Sequence, residues 1–354
     1  MGVRYVPRRP RDLALPVDTQ LRDVGIIVVR ASQASLEATS MSQLLLELEH
    51  VSRFYKTVIG VGDLNLQLPP GAYGLIGPNG SGKTTLINLI TGVLRPSIGS
   101  VRVLGKNPAS DRGVLSKIGL CPASDILYPN ISGLHWVETM TGLHGFPRTD
   151  ARQRAVSSMT QLGMSDNMER PIGAYSLGMR QRTKLAQAIA HEPELLILDE
   201  PFNGLDPIGR HELAEFLRSC IEQGRNLILA SHILHEVEAI TTSFLLIHGG
   251  RVLASGDARE VRSMLSGFPV EIELQGTGLT ALAGRFSAHA WFRGLSFSDD
   301  RQSMTIRVAD QAQFLAALAQ AACDVDVNVS SVTSPDGSLE GAFELLLRAH
   351  RGET

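Results

Sequence analysis

From Leu44 to Ile76 the apolar positions come in short alternating runs, the spacing of half-buried strands. Leu44–Leu48 reads as one strand with Glu47 and Glu49 facing outward, and Val51–Tyr55 as the next. Leu64–Leu68 alternates cleanly, and Pro69-Pro70-Gly71 is a turn. Ala72–Ile76 leads into a glycine-rich loop that opens a helix-like run, Leu86–Ile90. Gly99–Leu104 and Ile118–Cys121 are further short strands. Leu195–Leu198 is apolar at every position, as in a parallel strand buried on both faces, and Leu227–Ala230 repeats the pattern. Phe244–Ile247 and Arg251–Ala254, joined by Gly249-Gly250, form a hairpin. A helix over Ala258–Leu265 closes this part of the chain.

Between Asp125 and Gly173 the period becomes helical and methionine accumulates (Met140, Met159, Met164, Met168), which predicts an inserted helical subdomain over about 125–185 with methionine as core filler. From about Gly267 the order strand, helix, strand, strand, helix, strand predicts a small ferredoxin-like module, followed by an amphipathic helix at Leu339–Leu347. The expected division is an extension over 1–43, a nucleotide-binding domain over 44–266 and an accessory domain over 267–354. Residues 1–40 mix arginines and prolines without a secretory core, and Met41 directly precedes the first good strand. The expectation is a native start at Met41, or else a disordered basic arm.

The 354 residues are enough for two domains. Composition excludes more than it identifies. The net charge of −3 gives no nucleic-acid footprint, and no apolar run reaches the roughly 18 residues that span a bilayer. Cys121, Cys220 and Cys323 are scattered, which points to small buried side chains in a reducing compartment rather than disulfides or a metal centre. Trp136 and Trp291 mark no site by themselves.

The chemistry begins at Gly77-Pro78-Asn79-Gly80-Ser81-Gly82-Lys83-Thr84-Thr85, a phosphate-binding loop in its required context between strand and helix. The glycines allow backbone N–H groups to approach a phosphate, Lys83 supplies charge, and Thr84 offers a hydroxyl to Mg²⁺. Asp199 and Glu200 end the buried strand at the edge where α/β sheets bind ligands. There Asp199 can hold Mg²⁺ and Glu200 can act as general base toward water. His232 ends the next buried strand at the same edge. Ser176 precedes a helix, so it reads as an N-cap or, with the Gly178 amide, as a second anion site. Asp206-Pro207 caps another helix. Tyr55 is either a base-stacking aromatic or a core tyrosine.

In this order the elements resemble the nucleotide-binding subunit of an ATP-binding-cassette (ABC) transporter, over roughly residues 44–266. Tyr175–Gln181 resembles the family's signature, Leu195–Glu200 its Mg²⁺ strand and catalytic acid, Asn203–Asp206 its D-loop, His232 its switch histidine and Tyr55 its adenine-stacking residue. The resemblance implies an α/β phosphate-loop NTPase core with an antiparallel β subdomain. It also implies ATP and Mg²⁺ as ligands. Ser176 and Gly178 of one copy would clamp ATP on the loop of another, in a pair that drives a separate permease at the cytoplasmic face of the plasma (inner) membrane. Three positions depart from the family. Leu177 and Met179 stand for a glycine and a glutamine of the signature, a form similar to ABC-2 type exporters. Ala123 stands where a glutamine follows Ile118–Pro122, so that Ser124 or Asp125 substitutes or the step is weakened. Asn203 replaces a D-loop serine or threonine. The alternative implied by Ala123 is an ATP-gated clamp of low turnover. A soluble cassette of DNA repair or translation would call for a long coiled coil or a second cassette, neither of which is read here.

Overall fold

The computed structural model describes residues 44–264, 269–324, 327–334 and 339–351. The expected arm over 1–43 and start at Met41 lie outside them, as does the side chain of Cys323.

Strand β1 (Leu46–Tyr55) pairs antiparallel with β2 (Val58–Leu68). The two runs expected as separate strands are one. Leu48 and Val51 are three residues apart and both buried, which a regular strand forbids. A register shift around His50, at φ 49°, returns Val51 to the inner face. β3 (Ala72–Ile76) leads through the glycine loop into α1 (Lys83–Ile90). β4 (Ile98–Val103) pairs with the other side of β1 and completes an antiparallel sheet in the order β2-β1-β4.

A short helix, α2 (Arg112–Leu115), is capped by Asp111 and followed by β5 (Ile118–Cys121). The helical insertion comprises α3 (Gly133–Gly142), α4 (Arg148–Gln161) and the start of α5 (Leu177–Ile189). Met159 and Met164 are buried in its core, with Met140 and Met168 packed against them. Next come β6 (Leu195–Asp199), α6 (Pro207–Glu222), β7 (Asn226–Ser231), α7 (Leu234–Glu238), β8 (Phe244–His248), β9 (Arg251–Gly256) and α8 (Ala258–Met264).

These strands build a six-stranded sheet ordered β5-β6-β7-β3-β8-β9, parallel except for the β8–β9 hairpin. It is covered on both faces, so its strands read as unbroken apolar runs. Leu196 and Leu198 join one core while Leu195 and Ile197 join the other, and Ile76 and Leu75 divide the same way. In register, Ile76 lies beside Ser231 and Asp199 beside Ala230. Strands β3, β7 and β6 therefore end together, with β3 and β6 about 10 Å apart across the intervening strand.

Beyond this sheet, β10 (Val270–Thr277), α9 (Thr280–Phe286), β11 (Phe292–Phe297), β12 (Ser303–Val308), α10 (Gln311–Asp324) and β13 (Asn328–Thr333) form an antiparallel sheet ordered β11-β12-β10-β13. This is the expected ferredoxin-like order. It encloses its own core, in which Trp291, Phe286 and Phe314 pack together. The final helix, α11 (Leu339–Arg351), does not join that core. Ala342 and Phe343 are buried with the residues of the six-stranded sheet, and Phe343 meets Phe244 edge-on at 6.3 Å. Among the described residues no helix is long and apolar enough to cross a membrane.

Candidate active site

The common edge of β3, β7 and β6 opens into a cleft of about 490 Å³. Asn79, Gly80, Ser81, Gly82, Lys83, Thr84 and Thr85 form its floor, and Asp199, Glu200 and His232 one wall. Gly80, at φ 79°, takes a backbone angle that disfavours other residues. Gly82 is more constrained. Its φ is 110° and a Cβ there would lie 2.6 Å from the Gly60 carbonyl. No side chain caps α1, so its first N–H groups remain directed at the cleft.

Lys83 is buried, and its Nζ donates to the carbonyls of Gly77 at 2.6 Å and Pro78 at 3.3 Å. Gly77 and Pro78 thus serve the site by holding its lysine. Lys83 Nζ also lies 3.5 Å from Glu200 Oε1, an ion pair without hydrogen-bond geometry. The other oxygen, Glu200 Oε2, is 2.8 Å from His232 Nδ1. Glu200 itself sits at φ 51°, with its N–H donating to the Ala230 carbonyl. A non-glycine residue held in this region carries strain, a feature that concentrates at functional sites.

Thr84 Oγ1 donates to Asp199 Oδ2 at 3.0 Å. Burial pushes the Asp199 carboxyl above its ordinary value, and the Glu200 charge adds to the rise. The Thr84 hydrogen bond and the charges of Lys83 and Lys184 oppose it. Ser81 Oγ, Asp199 Oδ1 and Glu200 Oε1 are buried without hydrogen-bond partners. Buried polar atoms are rarely left so, and two of these three are acceptors on acids. The donor set therefore fits a hard cation between Thr84 and Asp199, together with a polyanion along the loop.

At the mouth of the cleft, the Tyr55 ring is 41 % exposed and leans on Gly60, where a Cβ would lie 2.7 Å from the ring. The Arg53 guanidinium lies 5.2 Å from the ring centroid. Val58, Ile59 and Gly60 also line the cleft and were not assigned to it from sequence; Ala123 and Asn203, two of the positions read as departures from the family, line it as well. Val58 and Ile59 could have been noticed as apolar residues directly after the aromatic; they are among the most exposed in β2. The neighbours expected to replace a glutamine at Ala123 lie elsewhere. Asp125 pairs with Arg180 at 3.5 Å, and Ser124 contributes its carbonyl to Lys184.

Besides Gly77 and Pro78, which lie behind Lys83, three expected residues do not line the cleft. Ser176 Oγ accepts from the Met179 N–H at 3.2 Å and caps α5, as its position before a helix predicts. Gly178 packs near the Gly204 carbonyl. Asp206 accepts from the Gly209 N–H at 2.8 Å, which caps α6.

The family model for ABC transporters matches residues 61–203. The ABC transporter ATP-binding protein YdbJ of Bacillus subtilis is 32 % identical, over 79 % of this chain and 87 % of YdbJ. The chain belongs to the ABC transporter ATP-binding proteins. The daunorubicin/doxorubicin resistance ATP-binding protein DrrA of Streptomyces peucetius is 30 % identical, over 86 % of this chain and 92 % of DrrA. The structure of an ATP-binding subunit of an ABC transporter superposes with a TM-score of 0.58 at 27 % identity, covering 62 % of this chain and 93 % of that one. A cassette solved as a dimer in a post-hydrolysis state with ADP and Pi has the same fold, with a TM-score of 0.56 at 22 % identity over 60 % of this chain and 98 % of that one. The expected cassette fold, ATP binding and ATPase class follow from this membership. The cleft bounded by Lys83, Asp199 and His232 is the candidate nucleotide site of this ABC cassette.

Proposed function

We propose that the cassette hydrolyses ATP as a head-to-tail pair and drives a separate membrane permease in the direction of export. The observation that carries the reading is the single cleft in which the loop, two acids with unsatisfied oxygens and a histidine converge. The Tyr55 ring stacks on the base. Lys83 exchanges the Gly77 and Pro78 carbonyls for phosphate oxygens, and the N–H groups of residues 79–85 hold the rest of the polyphosphate. Thr84 and Asp199 would hold Mg²⁺, which supplies charge neutralisation to the phosphates when bound. Glu200 accepts a proton from the attacking water, and His232 orients Glu200 and reaches the outer phosphate.

The pairing is supported by what the cleft lacks. Ser176 and Gly178 lie outside it, so those of a second copy close the site. Leu177 between them is 64 % exposed, an apolar side chain that such a partner would cover. The domain division at 266/267 belongs to the same reading, with attachment to the cytoplasmic face of the plasma (inner) membrane through the permease. Export is supported by the Tyr175–Gln181 signature form and by a relative named for drug resistance.

Steady-state ATPase of the wild type against Glu200→Gln tests the reading. Loss of the general base is expected to lower turnover about 100-fold or more while ATP binding persists. A wild type no faster than the variant leaves only the clamp of low turnover.

A further inference from the structure

Lys184 lies on α5 between Gln181 and Ala188, on the face turned to β5, and is only 4 % exposed. A buried ammonium is costly unless its donors are satisfied. Here Nζ donates to three successive carbonyls, those of Pro122 at 2.9 Å, Ser124 at 3.2 Å and Ala123 at 3.4 Å. These residues form the loop after β5, whose Ala123 lines the ATP cleft. Two neighbours grip the same stretch: Gln181 Nε2 donates to Cys121 Sγ at 3.6 Å, and Arg180 pairs with Asp125 at 3.5 Å. Ala123 has no polar side chain with which to reach the nucleotide. The loop is instead located through its backbone, from behind, by a side chain of the helix that Ser176 opens.

We infer that Lys184 is a positioning residue for ATP turnover: its ammonium fastens the loop carrying Ala123 to the signature helix, so that the cleft wall and the surface facing a second copy move as one body. Three donors on one flexible stem suit three carbonyls in a row, whereas a single side-chain amide on the loop would bond at one point. The inference rests on the ATPase reading for its kinetic arm only.

The test compares Lys184→Met, Lys184→Arg, Ala123→Gln and Lys184→Met/Ala123→Gln in the full chain, with two readouts. The first is amide hydrogen exchange without nucleotide. Lys184→Met is expected to speed exchange across 123–127 by about tenfold or more while β10 and β12 keep their wild-type rates. The second is kinetic. Lys184→Met is expected to lower kcat about tenfold with KM for ATP changed less than about threefold, because the loop is displaced and not the binding floor. Lys184→Arg recovers most of kcat, and Ala123→Gln restores part of it in the Met background. Unchanged exchange at 123–127 overturns the inference whatever the kinetics. A loss of kcat shared equally by Met and Arg also overturns it. Should the wild type prove no faster than Glu200→Gln, the ATPase reading fails and exchange alone decides the role of Lys184.

Discussion

Asp199 Oδ1 and Glu200 Oε1 are buried oxygens without hydrogen-bond partners, although buried polar atoms in folded proteins are mostly hydrogen-bonded. Such atoms are tolerable where the missing partner is the ligand. The resting posture of Lys83 has the same meaning, since its Nζ bonds the carbonyls of the loop it serves. Residue types and spacing made Lys83, Thr84, Asp199 and Glu200 legible, because the motif fixes which atoms face phosphate. They did not reveal the left-handed backbone at Glu200 or its pairing with His232, which depend on the ends of two strands being adjacent. Tyr55 was legible as one of two alternatives, and its exposed ring at the cleft mouth favours stacking. Tyr55→Ala is expected to remove about 1–2 kcal/mol of base stacking, weakening ATP roughly tenfold. Because the ring touches no reacting atom, kcat at saturating ATP should stay within about twofold, and Tyr55→Trp should restore affinity. Equilibrium nucleotide titration beside a kcat and KM series checks this, and unchanged affinity in Tyr55→Ala would place the base elsewhere.

At the scale of elements, the period of the apolar residues located nearly every strand and helix. What it did not contain was strand order and close approach. Gly119 reads as an ordinary glycine in a short apolar run, yet a Cβ there would lie 2.1 Å from the Ala188 carbonyl of α5. Gly119→Ala is therefore expected to push α5 from β5 and cost about 1–3 kcal/mol, an overpacking effect read as a lower urea midpoint. The fusion of two expected strands into β1 has a related cause, since a bulge is invisible to a strict period of two. Another element contact carries a pH dependence. His191, just after α5, donates through Nε2–H to the Ile118 carbonyl at 3.0 Å and stacks on His144 at 3.7 Å. Burial first, then the nearby His144 and Arg154, push its pKa down to about 4 from an ordinary 6.5. Arg154 is itself paired with Glu192, so these groups face the ring together. As pH falls below 6.5 the unfolded chain binds a proton at this position that the folded chain refuses until about 4. Stability must then fall with pH across that window and level off below it, as far as this group decides. His191→Gln is expected to flatten the slope of urea midpoint against pH between 7 and 5, a comparison with wild type that a set of titrations provides.

At the scale of the molecule, the two surfaces that the proposed function uses do not meet within one copy. The cleft is the proposed nucleotide site, while Ser176, Leu177 and Gly178 sit on the surface near Gly204. The ferredoxin-like module keeps a separate core, and α11 returns to pack Phe343 against Phe244 in the cassette. Among the described residues the cleft is lined from within 55–232, with none from the module or α11. In the proposed pair, closure falls to a second copy, bound only when ATP fills the gap between the two surfaces. Glu200→Gln, which binds ATP without consuming it, is expected to shift to a dimer on a sizing column when ATP and Mg²⁺ are added, and to remain a monomer with ADP. Adding Ser176→Asp to that variant should abolish the shift. Aspartate is as good an N-cap as serine, so α5 and the melting temperature should be preserved. Its carboxylate, however, would face the outer phosphate of the ATP held by the other copy, and two like charges at that distance in a closing interface repel strongly. A double variant that dimerises as readily as Glu200→Gln would mean that the serine does not reach the nucleotide and that the pair closes through other residues.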